Sequence, residues 1–163
     1  MVRPAGYGTV TPWIIARGVD GLIKFLEKAF DAVEIEGSRV YSQDGIIGHV
    51  EVTIGDSIVM LFDSLPNWPD TPAFFRLYVE DADAVYQKAL AAGATSVTQV
   101  TELFWGDRVG RVRDPWGNIW WLQTHTRDVT PEEMASPSQK LIDQMKYVQE
   151  TLDRELSGRK RER

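Results

Sequence analysis

The chain has 163 residues, with 18 basic and 24 acidic side chains giving a formal charge of −6. That balance argues against a general nucleic-acid role, which needs a concentrated basic surface, and no apolar run approaches the length of a membrane span. A 43% apolar content suits one compact domain, or two small modules sharing a core, while the lack of cysteine excludes disulfides, thiol nucleophiles and cysteine-bearing zinc sites.

The opening MVRPAGYGTV shows no basic start followed by an apolar block, so a cytoplasmic address is expected. Thr9–Ala16 reads as a first strand, with Pro12 suggesting an edge position or a strand start. Through Asp20–Phe30, Leu22, Ile23, Phe25, Leu26, Ala29 and Phe30 recur at helical spacing, with Lys24, Glu27 and Lys28 on the other side. Glu34–Tyr41, Gly48–Ile54 and Ser57–Asp63 read as three strands, the last two joined by a tight turn at Gly55-Asp56.

Ser64–Pro72 holds three prolines and no periodicity, which makes it a connector. A second series follows: strand Ala73–Val79, helix Ala82–Ala92 stopped by Gly93, strand Ser96–Leu103, then strands Arg108–Arg113 and Asn118–Thr124 around the turn Asp114-Pro115-Trp116-Gly117. Residues match as well as elements. Val19 and Lys28-Ala29 recur sixty positions on as Val79 and Lys88-Ala89; Gly48, Val50 and Gly55 recur sixty-two positions on as Gly110, Val112 and Gly117. The shared order predicts an internal duplication of a βαβββ module, about 9–63 and 73–125.

Phe104–His125 (FWGDRVGRVRDPWGNIWWLQTH) concentrates four of the six tryptophans among fixed charges. Flat rings supply contact area and charges supply orientation, as a small-molecule pocket requires. Alternation puts Arg111 and Arg113 on one strand face, and Trp121 with Gln123 on a face that excludes Trp120 and Leu122. Asp107-Arg108 reads equally as a structural ion pair or a substrate contact, and His49 with Glu51, at i and i+2, as hydrogen-bonded strand residues or ligand contacts. His125 is expected to tie down the loop after it.

VTPWIIARGVDGLIKFLEKAF, VEDADAVYQKALAAGA and GDRVGRVRDPWGNIW resemble the vicinal oxygen chelate superfamily, which contains glyoxalase I, bleomycin-resistance proteins and extradiol dioxygenases. The likeness is to its PhnB-like branch and covers about residues 9–135, through THTRDVTPEEM. The resemblance implies an α+β fold in which two βαβββ modules form a curved mixed sheet around a ligand cup. It also implies metal ligands on the first and last strand of each module, near Thr11, Met60, Phe74 and Trp121. None of these is His, Asp or Glu, so neither a metal nor another cofactor is expected. Asn118 departs from the histidine that relatives carry after the turn, which removes a group able to act as acid or base near neutral pH.

A C-terminal extension, 136–163, completes the reading. Leu141, Met145, Val148, Leu152 and Leu156 form one helical stripe over Ser136–Leu156, suited to packing on the same domain or to a dimer. The basic run Arg159–Arg163 reads as a solvated chain end. The expected function is metal-independent sequestration of a small aromatic or amphipathic ligand in the cup, of bleomycin-resistance type, by Trp13, His49, Glu51, Trp105, Asp107, Arg108, Arg111, Trp116 and Trp121. A homodimer is the expected assembly, with neither nucleic acid nor membrane as partner. The alternative is a metal-dependent glyoxalase-like lyase or isomerase.

Overall fold

The computed structural model describes residues 2–159, so Met1 and the basic tail from Lys160 onward lie outside the described residues. Module one comprises β1 (Trp13–Ala16), α1 (Val19–Phe30), β2 (Val33–Glu34), β3 (Val40–Tyr41), β4 (Ile47–Ile54) and β5 (Ser57–Asp63). Module two comprises β6 (Phe74–Tyr78), α2 (Ala82–Ala91), β7 (Thr95–Glu102), β8 (Asp107–Arg113) and β9 (Ile119–His125), and α3 (Pro131–Ala135) and α4 (Gln139–Ser157) follow. The α+β architecture of two βαβββ modules and a C-terminal helix is therefore present. In each module the first strand runs parallel to the last, and the remaining strands add antiparallel: β1-β5-β4-β2 with β3 also on β4, and β6-β9-β8-β7.

Local chemistry explains where elements begin and bend. β1 starts only at Trp13, because Pro12 has no N–H to donate, although its carbonyl accepts from Met60 N at 3.0 Å. The expected strand 34–41 is two short strands on β4. Gly37 (φ 76°) turns the chain between them, and Arg39 returns to Glu34 at 2.7–2.8 Å. Asp63 fixes three elements: its Oδ1 accepts from Gly18 N and Val19 N at the start of α1, and its Oδ2 from Ile47 N, at 2.8–3.0 Å. Asp81 caps α2 through Ala84 N. Thr130 and Glu133 form a reciprocal capping box that starts α3, a helix not predicted although its Thr-Pro-Glu-Glu signature was present.

The two mixed sheets are open and share one core, with no strand ladder joining them among the described residues. Ile14, Ala16, Val50, Val52 and Leu61 from module one meet α1, and Phe75, Leu77, Val112, Trp120 and Leu122 from module two join the same core with α2. Trp120 is fully buried, stacked on Phe75 at 4.7 Å and tilted against Phe30 at 4.8 Å. Trp116 locks the halves together: its Nε1 donates to Arg17 O at 2.8 Å, and its ring occupies the space that a Cβ on Gly21 would fill. Because strand side chains alternate, the opposite face of each sheet points away from α1 and α2.

Candidate functional site

On module one that helix-free face carries Trp13 and Ile15 of β1, Met60 and Phe62 of β5, and His49 and Glu51 of β4, placed side by side by register. Trp13 is 48% exposed. Its ring meets Phe62 edge-on at 5.3 Å and His49 at 5.8 Å, and Phe62 in turn meets Trp68 of the connector at 6.1 Å. Below these rings, His49 Nε2 lies 3.0 Å from Glu51 Oε1, and Tyr7 OH donates to Glu51 Oε2 at 2.6 Å. That bond to the carboxylate raises the pKa of Tyr7 above the ordinary phenol value. The result is an aromatic row exposed at Trp13 and Trp68, beside a hydrogen-bonded polar row whose central carboxylate, Glu51, is buried.

On module two the same face carries Arg111 and Val109 of β8, Trp121 and Gln123 of β9, and Phe74, Arg76 and Tyr78 of β6. Much of it is covered. α4 lies across β7 and β8, with Val148 packed on Leu103, Val109 and Trp121, and Thr151 Oγ1 2.7 Å from Thr98 Oγ1. Arg111, only 3% exposed, donates through Nη1 to Val148 O at 2.7 Å and Thr98 Oγ1 at 3.2 Å, and its guanidinium lies 4.0 Å from the Trp121 ring. Burial, with the neighbouring charge of Arg76, pushes the Arg111 pKa down to about 10. The stripe on α4 is thus turned onto its own chain at Val148, while Ile142 and Leu156 stay exposed.

Asp107 forms a third group. This buried carboxylate accepts from Trp105 Nε1 at 2.9 Å, from Gln123 Nε2, and faces His125 Nδ1 at 2.6 Å. His125 Nε2 lies 3.1 Å from Asp128, so the imidazole anchors the following loop, and its hydrogen bond to Asp107, then that to Asp128, raises its pKa. Asp107 and Arg108 point to opposite faces. Arg108 reaches the helix side and grips Asp83 of α2 at 2.8–2.9 Å. Asp114 accepts from the backbone N of Trp116 and Asn118, from Asn118 Nδ2 and from Trp120 Nε1 at 2.8–3.0 Å, while Asn118 Oδ1 accepts from Ala73 N. The turn residues are therefore occupied by structure, and Asn118 ties the turn to the start of β6.

The nine residues singled out from the sequence fall into three places. Trp13, His49 and Glu51 share the module-one face; Trp105, Asp107, Arg111 and Trp121 belong to the module-two face near α4; Arg108 and Trp116 lie on the helix side. Ile15, Met60 and Phe62 complete the platform: strand alternation pairs Ile15 with Trp13 and Met60 with Phe62, and the parallel register of β1 on β5 brings the two pairs together. Tyr7 and Trp68 come from segments without periodicity and carried no such signal. At the positions where the resemblance implies metal ligands, Thr11, Met60, Phe74 and Trp121 offer no imidazole or carboxylate. Among the described residues no three His, Asp or Glu side chains are grouped to hold an ion. The donor set does not fit a divalent metal.

Comparison with known proteins gives the lineage. The model of the Glyoxalase/Bleomycin resistance protein/Dioxygenase superfamily matches residues 9–122. The uncharacterized protein Rv0887c of Mycobacterium tuberculosis is 38% identical over 146 residues, covering 83% of this chain and 82% of its own length. TioX from Micromonospora sp. ML1 superposes with a TM-score of 0.59 at 25% identity, over 72% of this chain and 99% of that one. The PhnB protein from Bacillus cereus shares the fold, with a TM-score of 0.54 at 21% identity over 72% and 99% of the two chains. The family match ends before α4 begins.

Proposed function

The chain belongs to the Glyoxalase/Bleomycin resistance protein/Dioxygenase superfamily, and from that premise we propose that it sequesters a small, flat, amphipathic organic molecule without the help of a metal. The observation that carries this reading is the row Trp13–Phe62–Trp68, exposed at both tryptophans and set beside the His49–Glu51–Tyr7 hydrogen bonds on one sheet face. Rings that are edge-on to one another leave ring faces for a planar ligand, and the polar row offers it one oriented hydrogen bond.

The same reading takes a homodimer as the working unit, supported by the exposed Ile142 and Leu156 on α4, and a cytoplasmic address, supported by the lack of cysteine. Light scattering at micromolar concentration decides the first: a monomer throughout removes the dimer from the reading. The binding claim is tested by titrating tryptophan fluorescence with bleomycin and a panel of neutral planar aromatics in EDTA. Saturable quenching that survives the chelator and weakens in Trp13→Ala is expected. Binding that disappears in EDTA, or that ignores Trp13, defeats it.

A further inference from the structure

Among the described residues five buried side-chain polar atoms lack a hydrogen-bond partner, and four of them, Arg111 Nε, Trp121 Nε1, Gln123 Oε1 and Gln144 Oε1, belong to the module-two sheet face or to the helix lying on it. Three are on the module-two sheet face. Gln144 stands one turn before Val148, on the side of α4 that meets that face. An unpartnered buried donor or acceptor keeps its full desolvation cost, so a cluster of them is an unfavourable way to build a core. Charge points the same way. Arg111 and Arg76 lie 4.0 and 4.9 Å from the same Trp121 ring, yet neither pairs with a carboxylate among the described residues. Two guanidiniums brought to one indole repel each other unless an anion joins them.

We propose that the Arg111–Trp121–Arg76 stack is the recognition element of a second site, for a small organic carboxylate carrying a hydroxyl, closed in this structure by α4. The free N–H groups of Arg111 and Trp121 suit the two oxygens of a carboxylate, and the free amide oxygens of Gln123 and Gln144 suit a hydroxyl donor. Arg76, exposed on β6, supplies the entry side of the site. Admission requires α4 to move off the sheet, breaking the Arg111 Nη1 to Val148 O bond. The site is independent of the module-one platform, and a non-aromatic ligand separates the two.

Glycolate is a suitable probe because it has both groups and no ring. In a ¹H–¹⁵N spectrum of the full chain, the Trp121 indole signal, assigned from its loss in Trp121→Phe, is expected to shift saturably with glycolate. Neutral glycolamide at the same concentration is expected to leave it in place. Arg76→Gln, a change at an exposed side chain with no ion-pair partner, is expected to weaken glycolate at least fivefold, while Trp13→Ala leaves it unchanged. Amide exchange across residues 139–157 is expected to accelerate on saturation. Equal shifts with glycolamide, no shift with glycolate, or full affinity in Arg76→Gln overturns the anion site. A saturable shift with unchanged exchange in α4 overturns the lid. Inorganic phosphate binding in place of glycolate reassigns the stack to phosphate and defeats the carboxylate assignment.

Discussion

The two modules share a strand order and a parallel pairing of first strand on last, yet their helix-free faces differ. Module one presents rings to solvent over a His49–Glu51–Tyr7 row. Module two carries the buried Arg111 and Asp107 and is partly covered by α4, while Phe74, Arg76 and Tyr78 of β6 stay exposed. Part of the difference lies in the strand residues themselves, rings with His49 and Glu51 on one face and Asp107, Arg111 and Gln123 on the other. The rest comes from α4, a helix beyond the family match, which packs on the module-two face and leaves the module-one face uncovered.

The strongest test of that contrast is the core both modules share. Trp120→Ala removes a fully buried ring between Phe30 and Phe75 and should cost about 3–5 kcal/mol in denaturant unfolding. Both modules should lose stability together, and unfolding of module two alone would divide the core into independent halves. Val148→Ala acts on the asymmetry itself. It should cost about 1–2 kcal/mol and raise amide exchange in β7 and β8 while β4 and β5 stay protected. Equal acceleration in both sheets would show that α4 stabilises the whole molecule rather than one face.

Trp13→Ala, on the open face, should change stability by less than about 0.5 kcal/mol but cost a planar ligand about 1–3 kcal/mol of affinity. A large loss of stability would make the ring a structural support instead of a platform. The smallest effect is the pH dependence of the loop anchored by His125. Asp107 and Asp128 raise its folded-state pKa above 6.5, so the charged pairing contributes fully below that value and is lost as pH rises through the higher folded one. Exchange in residues 126–130 should quicken over that interval in the native chain and not in His125→Gln. An identical profile in the variant would assign the effect to another group.

Much of this was legible from the chain. Helical spacing gave α1 and the α4 stripe, the stop at Gly93 marked the end of α2, and alternation separated Trp120 from Trp121, one facing the shared core and the other α4. Boundaries were less legible where one residue type overrode the pattern, as Pro12 and Gly37 did. The site was legible only in part. Trp13, His49 and Glu51 do share a face, but Arg108, adjacent to Asp107, pairs with Asp83 on the other side of the sheet.

By itself, then, the sequence determined the elements, their duplication and the faces of each strand, because these depend on backbone period and on turn chemistry within a few residues. Only the tertiary structure decided which face stays open. Tyr7 reaches Glu51 across 44 positions and Arg111 reaches Val148 across 37, and such pairings follow from how packed elements meet rather than from any local pattern.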